Sequence, residues 1–207
     1  MNSEANMDVP LGDVSKGTLT LLSGVPRLSI ASDASMSHLM RAHFERPLPE
    51  VRVKDGTVQI RYPRISLRNW LFSWRQPLAE LTLNASIPWS IEVRGGVSNF
   101  HADLRAIQLT GLNLQGGVSN FWAALPDPSG TVSIVVGGGV SQMTVQRPRN
   151  IPVRVQVRGA ASSLTVDGQH FGPSGKLPPL ESPDYGQAAN RYDIQISGAA
   201  SNLVVGK

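Results

Sequence analysis

Apolar and polar positions alternate with period two through most of this chain, and a small-residue phrase interrupts the alternation at regular intervals. The phrase reads Gly95-Gly96-Val97-Ser98, Gly116-Gly117-Val118-Ser119, Gly138-Gly139-Val140-Ser141, Gly159-Ala160-Ala161-Ser162 and Gly198-Ala199-Ala200-Ser201. The first four copies start 21, 22 and 21 residues apart, the self-similarity of a repeat architecture. Four residues before each first glycine stand Ile91, Leu112, Ile134, Val155 and Ile194, and two before it stand Val93, Leu114, Val136, Val157 and Ile196. Five residues after it come Phe100, Phe121, Met143, Leu164 and Leu203, and two further on Ala102, Ala123, Val145, Val166 and Val205. Each repeat therefore predicts a strand, a corner and a second strand.

A chain that turns sharply between two strands needs either positive φ or a backbone without a Cβ in the way of the next coil. Two copies carry Ala at the second position, which points to close stacking rather than to an obligatory positive φ. The corner residues on this reading are Gly24, Gly95, Gly96, Gly116, Gly117, Gly138, Gly139, Gly159 and Gly198. One strand pair cannot bury its apolar face alone, whereas stacked copies about 4.8 Å apart enclose one continuous interior. The polar column Asn99, Asn120, Gln142, Ser163 and Asn202 then predicts an amide ladder along one edge.

Upstream, Leu19, Leu21, Gly24, Val25, Leu28 and Ile30 fall in the same columns and make a sixth copy. Val51, Val53, Asp55, Gly56, Val58 and Ile60 read as a shortened seventh, with Asp55-Gly56 a turn signal in its own right. Between these two, Met36, Leu39, Met40 and Phe44 share one face at helical spacing, with Ser32 or Asp33 as N-cap, so a short helix over 33–44 is expected to cap one end. The expected fold is all-β: a single-domain β-solenoid with rungs of about 21 residues and one capping helix. Residues 1–16 read as a disordered tail, 17–207 as the solenoid, and 168–190 as an inserted Gly/Pro-rich loop.

With 207 residues the chain can bury one good core, and the absence of cysteine excludes disulfides, thiolate metal sites and a cysteine nucleophile. No basic stretch followed by an apolar region marks a signal peptide, and no apolar run reaches the roughly 18 residues of a membrane span, so a cytoplasmic, at most membrane-peripheral, chain is expected.

The run from Pro88 to Val205, with Ile91-Glu92-Val93-Arg94-Gly95-Gly96, Asp103-Leu104, Leu109 to Leu114, Leu125-Pro126-Asp127-Pro128, Ser182-Pro183-Asp184-Tyr185 and the closing Gly-Ala-Ala-Ser rung, resembles the bacterial toast-rack domains. These are the solenoid modules of LiaF-like envelope-stress proteins and of related adhesin-like sequences. The resemblance covers roughly residues 18–206 and implies stacked β rungs, a bacterial source, and a non-enzymatic role in sensing, scaffolding or adhesion.

Candidate chemistry is sparse. His38, His43, His101 and His170 are scattered, and the first two are five apart, off the four-residue spacing that aligns two imidazoles on a helix. Asp103, Asp127 and Asp167 follow corners at offsets of 8, 11 and 8, which reads as solvated turn residues and not as a close carboxylate pair. Gly137-Gly138-Gly139 lacks the Gly-Lys-Ser/Thr that completes a phosphate loop, and no nucleophile elbow occurs. No catalytic residue, metal ligand or cofactor is assigned, and the chain is not expected to be an enzyme. A carbohydrate-acting β-helix enzyme is the weakest of the readings.

Two basic groups bear on binding. Arg41, Arg46, Arg52, Lys54, Arg61, Arg64, Arg68 and Arg75 outnumber the acids around them, and Trp70, Leu71, Phe72 and Trp74 thread the later part. Arg61, Arg64, Arg68, Trp70, Phe72, Trp74 and Arg75 thus form a candidate patch for an anionic membrane surface, set against packing of the aromatics on the rungs with the arginines on a solvated face. Arg147, Arg149, Arg154 and Arg158 read the same way, as an outward face. The expected function is a non-catalytic scaffold or interaction module with a protein partner of unknown identity; nucleic acid is not expected. The alternative is self-assembly, with the C-terminal rung, followed only by Gly206-Lys207, as an open end suited to a homodimer.

Overall fold

The computed structural model describes residues 4–63, 77–173 and 177–207. The first half of the described chain forms β1 (Glu4–Pro10), β2 (Gly17–Leu21), β3 (Val25–Asp33), β4 (His38–Glu45), β5 (Glu50–Lys54), β6 (Thr57–Arg61), β7 (Leu78–Asn84), β8 (Pro88–Val93) and β9 (Val97–Asp103). There follow β10 (Gln108–Leu114), β11 (Val118–Ala124), β12 (Thr131–Val136), β13 (Val140–Gln146), β14 (Val153–Val157) and β15 (Leu164–Val166). The last are β16 (Gln169–Phe171), β17 (Leu180–Glu181), β18 (Arg191–Ile196) and β19 (Ala200–Gly206).

They make two sheets, of ten strands in the order β1-β4-β7-β3-β9-β11-β13-β19-β15-β16 and of nine in the order β17-β14-β18-β12-β10-β8-β2-β6-β5. A rung is one strand of the nine-stranded sheet, a glycine corner, and one strand of the ten-stranded sheet. Parallel pairing brings like columns into register: Ile91, Leu112, Ile134 and Ile194 in one sheet, and Phe100, Phe121, Met143 and Leu203 in the other. All eight are buried, and with their neighbours they form a single core between the sheets.

The corners show why the first glycine of each pair is obligatory and the second is not. A Cβ on Gly138 would stand 2.5 Å from the Gly117 nitrogen, and one on Gly116, Gly159 or Gly198 would come within 2.6 Å of the backbone of the neighbouring corner in the stack; Gly95 meets Gly24 in the same way. At the second position the clearance rises to 3.5 Å at Gly96, 3.2 Å at Gly117 and 3.3 Å at Gly139, which is why Ala160 and Ala199 are accommodated there; Gly24, where a Cβ would stand 2.7 Å from the Gly96 carbonyl oxygen, is the exception. None of these corner glycines has positive φ. Ser23 takes the first position where the run of paired corners ends, and its Oγ accepts a 2.8 Å hydrogen bond from the Tyr62 amide.

Stacking order differs from chain order in two places. The β2/β3 rung lies between β6/β7 and β8/β9, and the β18/β19 rung lies between β12/β13 and β14/β15. The C-terminal rung, read above as an open end, is therefore paired on both sides in both sheets and offers no free strand edge to a second copy.

The ends are built differently from the sequence expectation. No helix caps the stack at 33–44: β3 runs to Asp33, whose carboxylate accepts from the Ser35 amide at 2.8 Å, and β4 then lies antiparallel on β7. Met40, Ala42 and Phe44 point inward with Arg41, His43 and Glu45 between them, a strand alternation that overlaps the helical spacing, and the free edge of β7 decides between the two. Residues 4–10, expected in a disordered tail, form β1 on the outer side of β4, with Val9 buried. The shortened seventh copy is a hairpin within one sheet. Asp55 (φ 48°) and Gly56 (φ 76°) form its turn, and Val58 and Ile60 join the columns of Leu19 and Leu21. The 168–190 excursion carries β16 and β17, which close the far edges of the two sheets.

Candidate binding faces

The outward side of the ten-stranded sheet carries the most regular array of polar groups in the molecule. Its residues follow from the corner phrase: the serine after each corner is exposed, the next residue is exposed except for the half-buried Ser163, and the one after that turns inward. Arg27, Asn99, Asn120, Gln142 and Asn202 are directly opposed across successive strands. The predicted amide ladder is realised at one step, where Asn120 Nδ2 donates to Asn99 Oδ1 at 2.9 Å. Among the described residues, the side chains of Ser98, Ser119, Ser141, Ser201, Gln142 and Asn202 have no intramolecular hydrogen bond.

One row further from the corners, pairing aligns Asn6, His43, Glu80, Ser29, His101, Trp122, Thr144, Val204, Thr165 and His170 across the whole sheet. Three of the four histidines, scattered in the sequence, thus share one row. They are not a metal centre: among the described residues no group of three or more His, Asp or Glu side chains is placed to hold an ion. His43 is hydrogen-bonded at 2.8 Å to Asn6, and His101 stacks on Trp122 with ring centroids 4.2 Å apart and planes 7° from parallel. The sequence signal for this aromatic step was present one column beyond the buried phenylalanines, where His101 and Trp122 occupy an outward position.

The basic groups behave otherwise. Arg61 is exposed on β6; Arg64, Arg68, Trp70, Phe72, Trp74 and Arg75 lie outside the described residues. Of the second set, Arg149 and Arg158 are exposed, but Arg147 is buried and not on an outward face. Its guanidinium pairs with Asp167 and donates to the Pro148 and Ile151 carbonyls, and Ser182 Oγ donates to Asp167 at 3.0 Å. Burial draws the Arg147 pKa down against the opposing pull of Asp167. Asp167, expected as a solvated turn residue, therefore anchors the excursion that follows it.

Arg154 is bidentate to Asp193 at 3.0 and 2.8 Å, and Tyr185 is flanked by Arg154 at 5.1 Å and Arg191 at 5.0 Å. The hydrogen bonds from Arg154 hold the Asp193 carboxyl below its ordinary value, and Arg105 does the same for Asp103. Arg105, Arg147 and Arg154 are thus engaged in ion pairs within the chain, and Arg191 is held by Thr131 Oγ1, the Tyr185 and Gly186 carbonyls and the Tyr185 ring. Among the described residues no helix is long and apolar enough to cross a membrane.

A model of the family described as the N-terminal domain of toast_rack, DUF2154, matches residues 1–146. Among solved structures, a "putative cell adhesion protein" from Clostridium sporogenes ATCC 15579 aligns over 98% of this chain and 98% of its own at TM-score 0.73 and 24% identity, which shows a shared fold. A "putative adhesin" from Bacteroides fragilis NCTC 9343 aligns over 98% of both chains at TM-score 0.29 and 9% identity. No curated protein matches the chain.

Proposed function

Since the chain belongs to the family of the N-terminal domain of toast_rack, we propose that it is a non-catalytic binding module of the adhesion type, acting through the outward face of its ten-stranded sheet. The observation that carries this reading is the in-register strip of exposed serine and amide side chains, in which only Asn99 and Asn120 bond each other while Ser98, Ser119, Ser141, Ser201, Gln142 and Asn202 have no intramolecular hydrogen bond among the described residues. A buried or paired role accounts for most of the other polar clusters: Arg147 with Asp167, Arg154 with Asp193, and Asn84, whose amide donates to the Met36 and His38 carbonyls. The Clostridium sporogenes protein that shares the fold is described as a "putative cell adhesion protein", which supports the same class of role. Open-ended self-assembly is less well supported, because antiparallel strands close both ends and the outermost strand β5 carries Glu50, Arg52 and Lys54, charges that discourage edge pairing.

The test is retention of cell-wall preparations on beads coated with the full chain, against beads coated with the Asn120→Lys/Gln142→Lys variant, whose changes fall on exposed positions. Retention by the first and loss by the second, with matching circular dichroism, is the expected result. Retention no greater than on uncoated beads sinks the reading.

A further inference from the structure

We propose that the serine and amide strip binds a neutral, extended glycan laid along the stacking axis, perpendicular to the strands; this rests on the adhesion-type reading and names its ligand class. Three features of the strip converge on that chemistry. From Asn99 to Asn202 it carries no charge, Arg27 standing one step beyond Asn99, and the serines alongside it are equally neutral, so the strip itself supplies no cation to pair with an acidic polymer or a phosphate. A primary amide presents a carbonyl acceptor beside two N–H donors and a serine hydroxyl does both jobs, the complement of a sugar's hydroxyl pairs. The groups also repeat at the rung rise of about 4.8 Å, close to the length that one ring adds to an extended pyranose chain.

The neighbouring row supplies the apolar contact that sugar rings need. His101 covers one face of the Trp122 ring, and the next side chain along the row on the other side is the much shorter Thr144, so the step from Trp122 to Thr144 leaves ring surface above the sheet. At Ser162 and Ser201 the strip borders a shallow hollow of about 480 Å³ lined by these serines, the alanines of the last two corner phrases and Pro173. Alanine methyls and a proline ring suit the C–H face of a sugar, and the Ser201 hydroxyl suits its edge, Ser162 Oγ being already bonded to the Ser201 carbonyl.

The experiment is isothermal titration of the full chain with cellohexaose, chitohexaose and mannohexaose, with polygalacturonate as the acidic control. Binding of at least one neutral hexasaccharide is expected, with no binding of polygalacturonate and an affinity that changes less than about twofold between low and physiological salt. Asn120→Ala/Gln142→Ala should weaken it by about tenfold or more. Trp122→Thr, which places on β11 the residue type found in the same row at Thr144 and Thr165, should abolish ligand-induced fluorescence change while the fold survives.

Failure of every neutral hexasaccharide, a strong salt dependence, or unchanged binding in the double variant overturns the glycan assignment. If cell-wall material is still retained on protein-coated beads in that event, the adhesion reading stands with a different ligand. Loss of both ends both.

Discussion

The middle of the stack and its two ends solve the same problem, a row of strand edges that must be satisfied, by opposite means. In the middle each strand meets its own likeness: Phe100 stacks on Phe121 at 4.8 Å and 6°, Asn120 bonds Asn99, and glycine backbones nest on glycine backbones. At the ends the likeness runs out. There the pairing turns antiparallel, through β1, β4 and β5 on one side and β16 and β17 on the other, and single residues without counterparts hold it. Asn84 is one such residue, bonding two carbonyls while its own carbonyl accepts from Trp89 Nε1 at 2.7 Å; the pair of Arg147 and Asp167 is another. Repetition builds the interior, and residues used once terminate it.

If this division is correct, the largest effect belongs to a methyl group in the middle. Gly138→Ala drives a Cβ into the Gly117 backbone and should cost about 3 kcal/mol or more, whereas Gly139→Ala next to it should cost a fraction of that and Gly172→Ala at the periphery, with open space around it, almost nothing. Denaturant midpoints for the three variants check the ordering; equal midpoints for Gly138→Ala and Gly139→Ala would refute the stacking account. Next is the far-end anchor. Arg147→Met leaves the Asp167 carboxylate without its buried partner and should cost about 3 kcal/mol, with most of the loss recovered when Asp167→Asn is added. A double-mutant cycle by urea unfolding reads the recovery, and strict additivity would mean that the pair is not coupled.

A smaller, pH-dependent effect comes from Asp193, whose carboxyl Arg154 holds below the ordinary range. A carboxyl with a lower pKa in the folded chain stabilises fully above its unfolded value of about 3.9, and that contribution disappears as pH falls through the folded value. The melting temperatures of the native chain and of Asp193→Asn should therefore lie apart near neutral pH and converge in strong acid; a gap constant with pH would contradict it. The smallest effect is expected at the exposed ladder, where Asn120→Ala should cost no more than about 0.5 kcal/mol, since one solvated hydrogen bond is lost. A loss of several kcal/mol there would make the strip structural and remove the basis for reading it as a ligand surface.

The columns were legible because parallel pairing places identical positions side by side, so Ile91, Leu112 and Ile134 announce their contact by being alike. The same likeness hides the stacking order. Ile194 fits beside Ile134 as well as Val155 does, and only the long excursion before it lets the last rung slip between the two. The ends were least legible for a related reason. Met40, Ala42 and Phe44 satisfy a strand and nearly satisfy a helix, and Asp55-Gly56 looks like a corner although its positive φ angles make a hairpin. Of the candidate site, the amide column and its serines were visible as repeats. The stacking of His101 on Trp122 and the burial of Arg147 depend on which side of the sheet a residue reaches after the strand is placed, and no column records that.

The interleaved final rung also decides how the molecule bears load. In a stack that follows chain order, tension applied at one terminus peels the outermost rung and then the next, opening one ladder at a time like a zipper. Tension delivered through Lys207 instead reaches β19, which is laced to β13 on one side and to β15 on the other. Drawing it out requires two ladders to shear together, so a module that holds on to a surface would be gripped from its interior and not from its edge.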